Sequence, residues 1–133
     1  MYDVGDIVLF YSNQAQKKKY HICLIKPSSE QAGLFLFLNS ENHYNNSLAL
    51  DCNRIPELAP TPSGQSYICC EQICCSELML QVHVPKKICQ LDTELCEQLL
   101  SFVDAAHFIE RRIKLRLSDA ITTLIEKRRP NSP

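Results

Sequence analysis

A chain of 133 residues, 45% hydrophobic and 22% charged, has enough material for one packed core and too little for two. Fourteen basic residues stand against fifteen acidic ones, so bulk charge does not point to nucleic acid, and an anionic partner has to meet a local basic patch. The longest apolar runs are strand-length and no basic n-region opens the chain; a soluble, cytoplasmic protein without membrane contact is expected, its eight cysteines mostly free thiols.

Val4-Gly5 reads as a turn that opens onto an apolar strand over Asp6–Tyr11. A polar, lysine-bearing loop follows, then two more strands over Tyr20–Lys26 and Leu34–Asn39, all rich in Ile, Val, Leu, Phe and Tyr. From Glu41 to Ser66 the residues Asn42, Asn45, Asn46, Pro56, Pro60, Pro62 and Gly64 are turn chemistry, with room for one short strand near Leu48–Cys52. Such a stretch is where functional loops are placed. Order is expected again over Tyr67–Cys75 and Leu78–Val84, with a last short strand at Lys86–Cys89 after Pro85.

Asp92-Thr93-Glu94 is a helix start, because an Asp cap and a first-turn Glu both meet the positive helix N-terminus. Beyond it, Leu95, Leu99, Phe102, Val103, Ala106, Ile109, Ile113, Leu117, Ile121, Leu124 and Ile125 recur at three and four residues, the apolar stripe of a long helix. Ser118-Asp119 is a candidate cap for a second segment, and residues 130–133 form a disordered tail. Because the stripe outruns what a small barrel covers, a second copy of the chain is expected to bury it.

Among the chemistry-bearing residues, Cys69, Cys70, Cys74 and Cys75 invite a zinc reading. Neighbouring side chains on a strand point to opposite faces, however, so the spacing favours small buried apolar groups over a tetrahedral site. Strand alternation puts His21, Cys23 and Ile25 on one face and Tyr20, Ile22 and Leu24 on the other. If the second set faces the core, His21 faces a cleft or solvent, where an imidazole titrates near neutrality or simply sits half-exposed. Lys17-Lys18-Lys19, flanked by Tyr11 and Tyr20, is either a solvated basic loop or a site combining cations with stacking rings, the combination that suits single-stranded RNA.

In order and spacing, Gly5-Asp6-Ile7-Val8, Tyr20-His21-Ile22-Cys23-Leu24-Ile25, Glu71-Gln72-Ile73 and Lys87-Ile88-Cys89-Gln90-Leu91-Asp92-Thr93-Glu94-Leu95 resemble the PemK/MazF family of toxins. The resemblance runs from about Tyr2 to Val103. It implies a mainly β fold with C-terminal α, an SH3-like barrel over residues 1–91 followed by one long helix or two helical segments over 92–129. It also implies a metal-independent endoribonuclease of a toxin-antitoxin system, a hydrolase without cofactor acting on single-stranded RNA, homodimeric, with an antitoxin protein as partner.

Where the family begins its second strand with Arg-Pro, this chain has Lys19-Tyr20 or Tyr20-His21; where it ends its third with Thr or Ser, Ser40 follows Asn39. On that basis Lys19 and His21 are the electrostatic and acid/base candidates. Ser40 is the phosphate-positioning candidate, and Lys17, Lys18 and Tyr20 the RNA contacts. The competing reading keeps the barrel and drops catalysis, leaving an interaction or nucleic-acid-binding module.

Overall fold

The computed structural model describes residues 1–41 and 47–129. Six strands, β1 (Asp6–Ser12), β2 (Lys17–Ile25), β3 (Gly33–Asn39), β4 (Ser47–Asp51), β5 (Gln65–Cys75) and β6 (Lys86–Gln90), form one antiparallel sheet in the order β4-β5-β3-β2-β1-β6. The sheet is open, with β4 and β6 at its edges. Three helices accompany it: α1 (Glu77–His83), α2 (Thr93–Ala105) and α3 (Arg111–Arg128). The chain is thus mainly β with C-terminal helices, and among the described residues no helix is long and apolar enough to cross a membrane.

All seven residues of β3, Gly-Leu-Phe-Leu-Phe-Leu-Asn, are buried. A strand without alternation needs cover on both faces, and the sheet has it. One face, carrying Ile7, Ile22, Leu24, Leu34 and Leu36, packs under α2 and α3. The other gathers Val8, Phe10, Cys23 and Phe35 with Cys75, Leu80 of α1 and Tyr2. Bulges between Ile7 and Val8, Cys23 and Ile25, and Leu36 and Phe37 bend the sheet enough to enclose this second, smaller cluster.

Gly5 sits at the junction of these parts with φ +89°, donating to the Cys23 carbonyl (2.7 Å) and accepting from Leu91 (2.8 Å). A Cβ there would stand 2.4 Å from Arg128 Nη2, and the Arg128 guanidinium donates to the Leu91 carbonyl at 2.5 Å. The last turn of α3 is therefore fastened to the start of the sheet through a position that only glycine fills without strain.

Two expectations about the elements are corrected. Leu78–Val84, taken as part of the barrel, is the two-turn helix α1: the Ser76 hydroxyl accepts from Met79 N (3.2 Å), Glu77 occupies the first turn, and Leu80 alone is buried. A side-chain cap and a first-turn carboxylate outweigh the β preference of a short apolar run. In the C-terminal third, Ser118 and Asp119 lie inside α3, and the break falls at residues 106–110 instead. Asp92 does cap α2 at Thr93, its carboxylate accepting from Leu95 N (2.7 Å).

This break gives up about one turn of helix and lets both halves of the stripe face one core. Leu95, Leu99 and Val103 of α2 join Leu117, Ile121, Leu124 and Ile125 of α3 against the sheet. Lys114 Nζ to the Asp104 carbonyl (3.2 Å) and Ser118 Oγ to Asp104 Oδ1 (3.0 Å) tie the hairpin. Burial of the stripe within the chain removes the reason for assigning a second copy to cover it. The expected turns at Asn42, Asn45 and Asn46 and the expected tail at 130–133 lie outside the described residues.

Candidate functional site

At the end of the sheet where β2 begins and β3 finishes lies a cleft of about 380 Å³, a size suited to a small ligand or a segment of a larger one. Its floor and one wall are Lys17, Lys18, Lys19, Tyr20, Asn39 and Ser40. Five of the six residues proposed for catalysis or RNA contact from the sequence thus converge on one concavity. Lys17–Lys19 form no loop: they are the first residues of β2, held by pairing with Phe10, Tyr11 and Ser12. The turn before them ends at Gln16, whose φ of 54° is the left-handed value a tight hairpin demands.

The opposite wall is Leu58–Pro62 with Ser66. Ile55 and Leu58 are buried in the main core and anchor this segment from below. Cys52 N bonds the Gly64 carbonyl (3.0 Å), Gly64 N the Thr61 carbonyl (3.0 Å), and Thr61 Oγ1 the Gln65 carbonyl (2.6 Å). Ser63 Oγ donates to the Ser40 carbonyl (3.5 Å), which joins the two walls. The proline-rich stretch is accordingly a braced wall.

Lys19 borders the cleft, its side chain and that of Asn39 lying by strand alternation on the Phe37 face of the sheet, opposite Tyr20 and Leu38. It is half-buried, its Nζ donates to Asn39 Oδ1, and the same ammonium stands 5.2 Å from the centroid of the Phe37 ring. Burial, with Lys17 adding like charge, holds its pKa below the usual lysine value. Asn39 is 6% exposed, and with its oxygen committed to Lys19 its Nδ2 has no hydrogen-bond partner. That nitrogen is itself buried, an unsatisfied donor inside the wall. The pair therefore sets one partly buried cation at the border of the cleft.

His21 is placed elsewhere. It is wholly buried, its ring stacked on Phe10 (3.7 Å between centroids, 8° between planes) and 5.2 Å from Phe37. Exposure to solvent fails as an expectation, because the sheet is covered on both sides and the face opposite Tyr20 and Ile22 is a second core; the ring instead borders a separate small hollow of about 170 Å³ with Phe10, Met79 and His83, away from Lys17–Ser40. Burial pushes its pKa down to about 4, although the nearby carbonyls of Lys19 and Val8 favour the charged form. Neither ring nitrogen makes a well-formed hydrogen bond. At neutral pH the imidazole is uncharged and packs as an aromatic ring.

The cysteines behave as small apolar groups. None of the eight is in a disulfide, Cys23, Cys69, Cys70, Cys75 and Cys96 are buried, and desolvation raises the pKa of each of these five. Among the described residues no cluster of three or more His, Cys, Asp or Glu is placed to hold a metal ion.

Asn39 is the residue that sequence reasoning passed over in favour of Ser40. The sheet register brings it to Lys19: β2 and β3 pair Tyr20 with Leu38, so the next position places Lys19 beside Asn39, which the sequence does not show. No protein-family model matches the chain, and no curated protein or solved structure matches it either.

Proposed function

We propose that the chain is a metal-independent endoribonuclease of PemK/MazF type, built on an SH3-like barrel and acting on single-stranded RNA in the cleft between Lys17–Ser40 and Leu58–Ser66. The observation that carries this reading is the gathering of Lys17, Lys18, Lys19, Tyr20 and Ser40 on one cleft, with the half-buried Lys19 ammonium held by Asn39 at its border. Cleavage by the ribose 2′-hydroxyl breaks the P–O5′ bond and forms a 2′,3′-cyclic phosphate. It requires a cation at the developing phosphorane and a group that exchanges protons with the attacking and leaving oxygens.

Lys19 supplies the cation where the family has arginine and is the group assigned to exchange protons, burial holding its pKa below the usual lysine value. The Ser40 hydroxyl orients a phosphate oxygen, Tyr20 stacks on a base, and Lys17 and Lys18 hold the flanking phosphates. An antitoxin segment and a second copy of the chain are the partners this reading entails.

The burial of His21 favours a second reading, a nucleic-acid-binding or interaction module, because it leaves the cleft without an imidazole. One experiment separates the two: the purified chain and Lys19→Ala incubated with a long single-stranded RNA in EDTA. Discrete products ending in cyclic phosphate, reduced on the order of 10²-fold or more in the variant, establish the nuclease. Intact RNA that is nevertheless retained by the wild type, and not by Lys19→Ala, establishes the binding module. His21→Leu is expected to leave cleavage within a few-fold of wild type, since the ring never reaches the cleft.

A further inference from the structure

We infer that bound RNA continues out of the cleft across β2, β1 and β6, on a track formed by Tyr20, Lys18, Tyr11 and Lys86. The inference rests on the cleft being an RNA site and adds the path of the strand beyond it. Strand register supplies the geometry. Leu38 pairs with Tyr20, Tyr20 with Leu9, and Leu9 with Lys86, so these four side chains form one cross-strand row on a single face. The row spans three strand spacings, about 14 Å.

In the next row Tyr11 pairs with Lys18 on the same face. Leu38 and Tyr20 line the cleft, while Leu9 and Lys86 line a second, open concavity of about 750 Å³, and Lys18 borders both. Lys18 is the side chain the two hollows share, while Lys19, paired with Phe10, lies on the other face of β2.

Its chemistry suits a single-stranded polyanion with exposed bases. Lys18, Lys86 and Tyr11 are exposed, and Tyr11 lies 5.6 Å from the ring of His83, a two-ring platform beside the cations. Among the described residues no acidic side chain lines either hollow. Lys87, the neighbour of Lys86, is tied to Asp6 Oδ2 at 3.5 Å and is not assigned to the track. Alternating cations and aromatic faces on a path longer than one nucleotide is the arrangement that binds single strands with little base preference.

The test is fluorescence anisotropy with 2′-O-methyl oligouridylates, which lack the attacking hydroxyl and therefore report binding alone. One oligonucleotide is short enough to occupy only the cleft and the other about three times as long. Lys86→Ala is expected to bind the short one as wild type does and the long one roughly fivefold more weakly, with the salt slope lowered by about 0.7. Tyr11→Ala is expected to show the same selectivity for the long ligand without the change in slope. Lys127→Ala, an equal charge change on α3, is the control and leaves both affinities unaltered.

If Lys86→Ala and Tyr11→Ala bind both ligands as wild type while Lys19→Ala loses both, the track is wrong and the cleft stands. If wild type binds neither, the RNA reading and the track fall together.

Discussion

At the scale of the residue, His21 shows how one side chain's role depends on what covers its face. Its pKa of about 4 in the folded protein lies below the ordinary unfolded value of about 6.5. Between these values the unfolded chain binds a proton that the folded chain refuses, so stability falls as pH drops through that window and is regained as pH rises above it. The loss amounts to about 3 kcal/mol when both limits are passed. Urea unfolding at pH 7 and pH 4.5 is the check: the wild type is expected to lose midpoint over this range, and His21→Leu to lose markedly less. Equal pH sensitivity in the two proteins would show that the buried imidazole does not carry it. For Lys19 the environment works in the opposite direction functionally, since partial burial beside Asn39 and Phe37 concentrates its charge where a ligand can reach it.

At the scale of the element, the C-terminal third decides how the core is closed. Leu117 and Ile121 are fully buried between α2, α3 and the sheet, whereas Leu115, on the same helix, is 55% exposed. Leu117→Ala is therefore expected to cost about 2–5 kcal/mol by leaving a cavity, and Leu115→Ala less than about 0.5 kcal/mol, measured by urea denaturation. Similar costs at both positions would mean that α3 does not present the Leu117 face to the sheet. The apolar period of this region was legible in the chain, as was the Asp92 cap. The position of the break was not, because Ser118-Asp119 satisfies the local criteria for a cap as well as residues 106–110 do, and the contest was decided by which hairpin buries both halves of the stripe.

At the scale of the whole molecule, two cores on opposite faces of one sheet account for the disposition of the thiols. Cys23 and Cys75 belong to the smaller core, Cys70 and Cys96 to the larger, and Cys74 alone is exposed. A thiol-specific reagent at pH 7.5 is expected to find one fast thiol in the native protein, two slow ones at half-buried Cys52 and Cys89, and eight after denaturation. Cys74→Ser should abolish the fast phase; persistence of that phase would contradict the placement of β5. The cleft belongs to this scale too. Its walls come from β2, β3 and a segment about 20 residues further along the chain, brought together only because β5 pairs with β3 and carries that segment back over the end of the core.

Read in isolation, the chain determined the β character of its first half, all six strand positions to within a few residues, the Asp92 helix start and the cations and tyrosine of the cleft. These are local properties: composition, alternation and capping act over a few residues and require no partner at a distance. Tertiary structure alone decided that the C-terminal stripe folds back on itself, that Asn39 meets Lys19, and that His21 is inside. Each of these turns on which surfaces become covered, and cover is supplied by segments far away in the chain. Alternation tells which side chains share a face of a strand, and only the packed molecule shows whether that face meets water.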